Sequence, residues 1–221
     1  MCFSVQASFT TAAVLAVLGS YTLSKARTPG MRLFAINPLF FALQQALEGI
    51  VWVTLNAGDT VSLLHSIGVY GFLFFAGMFW PVYIPGSLYV LEENPTRKKI
   101  LATMLIPGCL LAGASLISFI SFPVTAHAIH HHIRYDIASA AFYTSLAQII
   151  GWGMYVLVTS GAMFISSIPY MWLVGCVVTC GFVVAHIFYY MIFGSVWCFF
   201  AAITSILTYV IVDYSNRNAA S

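Results

Sequence analysis

The chain has 221 residues, 61% of them hydrophobic and 6% charged, with a mean hydropathy of +0.95. An average soluble domain is about 25% charged, so six acidic and eight basic residues cannot furnish a polar shell, and the surface of an all-α fold of this kind must face lipid. The net charge of +2 is too small to argue for nucleic acid, and Cys109, Cys176 and Cys180, inside apolar runs, read as small hydrophobes.

Crossing the hydrocarbon of a bilayer takes about 20 apolar helical residues. The first such run, 4–24, has no clear small-residue cleavage site, so it reads as a retained helix, with the mature chain starting at or near Met1. Further runs follow at 33–55, 61–91, 100–120, 137–160, 166–190 and 195–213. The third is long for a straight span, and Pro81 and Pro85 predict a kink or an end near the membrane surface. No repeat or linker divides the chain, so one domain of seven transmembrane helices covers 1–221.

Basic residues set the orientation, because cytoplasmic loops hold the excess of Lys and Arg. With seven crossings, Lys25, Arg27, Arg32, Arg97, Lys98, Lys99 and Arg217 fall on one side and only Arg134 on the other. The N-terminus is expected outside and the C-terminus inside.

The second helix carries polar groups where hydrocarbon is expected. At 100° per residue, Asn37, Phe41, Gln44, Gln45, Glu48 and Trp52 share an arc of about 100°. A carboxylate against lipid costs roughly 3 kcal/mol on insertion scales, so this stripe is expected to face the bundle interior or a wet cavity. His65 and His186 lie near the outer ends of their helices, Cys198 is shallow in the seventh, and the one long exterior loop, 121–136, holds His127, His130, His131, His132, Arg134, Tyr135 and Asp136. A site, if present, opens outward.

Three chemistries use these residue types. Glu48, His65, His132 and His186 supply a carboxylate and imidazoles suited to Zn²⁺ or another transition metal, although no HxxxH or HExxH spacing ties them. Cys2 or Cys198 beside His132 would make a thiol and imidazole pair. His65 and His186 are the only helix histidines for a haem, and their shallow placement disfavours it. The seventh helix has no lysine for a retinal Schiff base, and no Gly-rich phosphate loop occurs.

At MCFSVQASF, LFFALQQALEGIVW, MFWPVYIP, HIRY and SVWCFFAAITS the chain resembles a family of prokaryotic membrane proteins of unknown function whose members begin MCFS. The resemblance runs from Met1 to about Tyr209 and maps onto Cys2, Phe3 and Ser4; Gln44, Gln45, Glu48, Gly49 and Trp52; Trp80 and Pro81; His132 and Tyr135; and Ser195, Trp197, Cys198, Phe199 and Phe200. It implies a multi-pass protein of the prokaryotic cytoplasmic membrane and carries no established activity. The family pattern does not call for histidine at His65 and His186, which weighs against a metal site built on both.

The expectation is a pocket in the extracytoplasmic half for a small or lipid-like molecule. Glu48 is its carboxylate, Gln44 and Gln45 its amides, Trp52 and Trp197 its walls, and His132 and Tyr135 its lid. The rival expectations are a membrane-embedded enzyme, with Glu48 and His132 as acid and base or as metal ligands, and an accessory subunit whose aromatic surface serves membrane-protein partners, a second copy or lipid.

Overall fold

A computed structural model describes residues 4–129, 131–138, 145–188 and 193–218, with 145, 188 and 193–202 described by backbone alone. Helix α1 (Val5–Lys25) starts at Ser4, whose Oγ accepts from the Ala7 N–H at 3.2 Å. Helix α2 (Pro29–Ala35) starts likewise at Thr28, with a proline in the first turn, where a missing N–H is no loss. Ile36 alone separates it from α3 (Asn37–Asn56). The interruption has a local cause: Pro38 cannot donate to the carbonyl one turn earlier.

The third rod is α4 (Leu63–Leu73), a π-helical turn (Phe74–Phe79) and α5 (Trp80–Leu91). The rod does not end at either proline: Pro81 lies in the first turn of α5 and Pro85 inside it. In the π turn the Trp80 N–H bonds the Phe75 carbonyl, five residues back, and the next bond of that series would run from Pro81 to Ala76. Pro81 has no N–H, and the Tyr155 hydroxyl takes its place, donating to the Ala76 carbonyl at 2.6 Å. Tyr155→Phe is therefore expected to lower stability by about 1 kcal/mol, the loss of a hydrogen bond to a half-buried carbonyl. Thermal unfolding in detergent measures it, and an unchanged melting temperature would refute this role for the hydroxyl.

Helix α6 (Pro95–Ser121) is capped by Asn94, whose Oδ1 accepts from the N–H groups of Thr96 and Arg97. The segment after it was expected to be loop and then helix from 137. It is an antiparallel hairpin of β1 (Val124–Ile129) and β2 (His132–Ile137), in register from Ile129 opposite His132 to Val124 opposite Ile137. The fold is thus mostly but not wholly α. Helix α7 (Ser145–Val156) follows, then a π turn (Leu157–Gly161), α8 (Ala162–Ile165), α9 (Met171–Phe188) and α10 (Phe193–Asn218). The rest of the interval 137–145 and the end of the run 166–190 lie outside the described residues.

Among the described residues five helical stretches are long and apolar enough to cross a membrane: Val5–Lys25, Pro29–Asn56, Leu63–Leu91, Pro95–Ser121 and Leu146–Ile165. Helices α1 and α3 pack closely, since a Cβ added at Gly19 would meet Leu39 and one at Gly49 the Phe9 ring. The main core gathers Leu15, Phe41, Phe75, Trp80, Leu101, Val174 and Ile211.

The bundle has two unlike ends. At the basic end, Asn216 donates to the Lys25 carbonyl at 2.9 Å and Arg97 to the carbonyls of Ile165 and Ser166, both at 2.9 Å. At the hairpin end Arg134 is paired with Asp136 at 2.8 Å.

Candidate functional site

The arc on α3 is buried throughout: Gln44 and Glu48 are 0% exposed, Gln45 1% and Trp52 4%. Intramembrane amides and acids need partners, and two are visible. The Gln45 amide donates to Glu48 Oε2 at 3.4 Å, and the Trp80 indole donates to Gln44 Oε1 at 2.8 Å. Phe41 stacks on Trp80 with centroids 4.2 Å apart, so the amide and the ring beside it hold the same indole. Trp80 sits at the start of α5 because the π turn ahead of it adds a residue, and that turn aims the indole at α3.

One turn toward the hairpin end, the Trp52 indole N–H is buried and finds no hydrogen-bond acceptor among the described residues. Its ring sits in a second apolar cluster with Val51, Val69, Phe72, Leu73 and, from the hairpin, Ala126 and Ile133. Tyr135 lies flat on Phe72, centroids 4.8 Å apart and planes 7° apart. Inward-facing Ala126 and Ile133, on opposite strands, thus seat the hairpin over the end of α3 that carries Trp52. His132 and Tyr135 stand in this cover, half-buried.

Two histidines of the four-residue metal set, His65 and His186, have other contacts. His65 Nδ1 is 2.7 Å from Thr54 Oγ1, tying the start of α4 to the end of α3. His186 is exposed in the last turn of α9, its ring stacked on Phe182. No three His, Cys, Asp or Glu side chains gather as a metal set among the described residues, so the expected grouping of Glu48, His65, His132 and His186 does not form there. Sequence spacing had no means of exposing this, because the Thr54 partner of His65 joins two helices. Cys2 and the side chains of Trp197 and Cys198 lie outside the described residues, and α10 carries the last two.

The pattern of a family described as a family of unknown function (DUF6629) matches residues 1–221. The chain belongs to DUF6629. No curated protein and no solved structure matches it. Within this DUF6629 chain the sequence missed two features. Trp80 completes the Gln44 contact, although it stood among the motif residues. A second buried acid, Glu92, is 1% exposed at the basic end and accepts from the Ser167 N–H at 2.6 Å, the Ser167 hydroxyl at 2.5 Å and the Asn94 N–H at 2.9 Å. Its only sequence signal is its place just after an apolar run and before the Asn-Pro helix start.

Chemically, the α3 site offers a carboxyl group, two amides and an indole donor in a nearly water-free setting. Such a set can hold a polar headgroup or exchange a proton.

Proposed function

We propose that this chain crosses a prokaryotic cytoplasmic membrane seven times, N-terminus outside and C-terminus inside, and binds a small or lipid-like molecule in a chamber of its extracytoplasmic half. One-sided basic residues support the orientation. Glu48 and the amides of Gln44 and Gln45 form the polar floor, Trp52 a wall, and the hairpin with His132 and Tyr135 the cover.

The observation carrying this reading is the Trp52 indole: buried to 4% exposure, one helical turn from Glu48, and without an acceptor among the described residues. Leaving such a donor bare costs about 1–3 kcal/mol, and an oxygen of a bound molecule would remove that penalty. An apolar-lined chamber with a few convergent polar groups is the ordinary form of a small-molecule site.

Native mass spectrometry of the untagged protein, released from mild detergent, tests the reading. The wild type is expected to carry a non-covalent mass addition. Loss of one hydrogen bond of about 1.4 kcal/mol weakens binding tenfold, so Trp52→Phe and Glu48→Gln should each deplete that addition while unfolding at the wild-type temperature. A wild type without bound mass, or two folded variants that keep it in full, overturns the proposal.

A further inference from the structure

Three helices, α1, α3 and α10, touch one another in pairs. Each turns a polar strip inward. On α1 it is Ser8, Thr11 and Thr22; on α3 Asn37, Gln45 and Glu48; on α10 Thr204, Ser205 and Thr208, all at most 8% exposed. The α10 strip shares its face with Ile211 and Val212, which belong to the same core as Leu15 of α1 and Phe41 of α3.

Contacts fix the depth of each group. Phe9 lies against Gly49 and Leu39 against Gly19, so α1 and α3 run antiparallel in constant register. Tyr21 rings against Tyr209 and Asn216 bonds Lys25, so α1 and α10 run parallel. In these registers Ser8 and Thr11 bracket Glu48, Thr204 and Ser205 come level with Gln44, Thr208 follows, and Asn37 and Thr22 lie nearest the basic end. From Glu48 to Asn37 is about 16 Å of helix at 1.5 Å per residue, roughly half of a 30 Å hydrocarbon layer. Three polar atoms along the seam, Ser8 Oγ, Ser205 Oγ and Asn37 Oδ1, are buried without a hydrogen-bond partner among the described residues, one near each end and one between.

We infer that this seam conducts protons. Glu48 takes a proton from the hairpin side, and the Ser205 and Thr208 hydroxyls relay it toward the basic end, with water spanning the wider gaps. At each step one O–H bond forms on a lone pair as another breaks on the same oxygen, and Asn37 orients the last donor before release. No electron moves, and a pH difference or membrane potential supplies the drive. This activity goes beyond ligand binding and shares with it Glu48 and its neighbour Gln45.

The test places purified protein in vesicles holding a pH-sensitive dye, with a potassium gradient and valinomycin to set the potential. Wild-type vesicles should change internal pH severalfold faster than protein-free vesicles. Glu48→Gln should fall to the protein-free rate. Ser205→Ala should slow the flux severalfold yet keep the wild-type melting temperature and any bound mass seen by native mass spectrometry, which separates this proposal from the ligand reading. Should Glu48→Gln not fold, Ser205→Ala and Thr208→Val decide alone. A wild-type rate equal to that of protein-free vesicles, or folded variants with wild-type flux, overturns it.

Discussion

Replacing Gly108 with alanine is expected to separate α5 from α6 and strip the protein of much of its stability. A Cβ at this position would stand inside the contact distance of the Pro81 carbonyl oxygen and 3.1 Å from its carbon. Both atoms are backbone, so no side chain can rotate away, and Pro81 is anchored just past a π turn. Overpacking costs about 1–3 kcal/mol where neighbours can yield, and the upper end applies here because they cannot. Helices in lipid associate through such close approaches, which small residues permit. Gly113, on the same helix with nothing near its would-be Cβ, is the control, and Gly113→Ala should be close to neutral. Melting temperatures of the two variants in one detergent decide the matter, and equal losses would contradict the crossing described.

Glu92→Ala should be at least as damaging, and its effect should depend on pH. The carboxylate joins the end of α5 to the turn between α8 and α9, accepting two bonds from Ser167 and one from Asn94. Removing it leaves three donors bare, a loss of order 3 kcal/mol or more. Burial pushes this carboxyl up, but hydrogen bonds from Ser167, Asn94 and Ser166 outweigh burial and hold it below its ordinary value. The sign follows: a depressed folded value means the contribution is complete above the unfolded carboxylate range and is lost as pH falls through the lower folded value. Wild-type melting temperature should thus decline on acidification below the usual carboxylate range, while the Glu92→Ala protein, already lacking this term, should decline less. Parallel declines would remove Glu92 from the account.

Apolar helical runs were legible because bilayer thickness imposes a minimum length on such segments, and five of the described helical stretches are long and apolar enough to cross a membrane, with several ends shifted by four to eight residues from the expected runs. The α3 arc was legible for a similar reason, since polar groups in a lipid-solvated helix must share one face. Long-range partners were not. Two prolines were expected to kink or end the rod; it continues past both, and the Ala76 carbonyl that Pro81 leaves without a donor accepts from a tyrosine hydroxyl 79 residues later. The hairpin hid because histidines dominate its tip and its inner face, Val124 and Ala126 on one strand and Ile133 and Tyr135 on the other, offers only two inward residues per strand, too brief an alternation to outweigh a loop reading. Thr204, Ser205 and Thr208 passed unnoticed since hydroxyl residues in apolar helices usually satisfy themselves on their own backbone, as Thr208 does on Thr204.

The π turn in the third rod has one further consequence. Such a turn is an α-helix with a surplus residue, so its excision would return the rod to ordinary α-helical phase, rotating everything beyond it through about 100°. Trp80 would swing off Gln44, and Pro81 would leave the gap opposite Gly108. The bulge is therefore a phase shifter: it lets a single rod offer one side to α3 above and a different side to α6 below, something an uninterrupted helix of this sequence has no way to do.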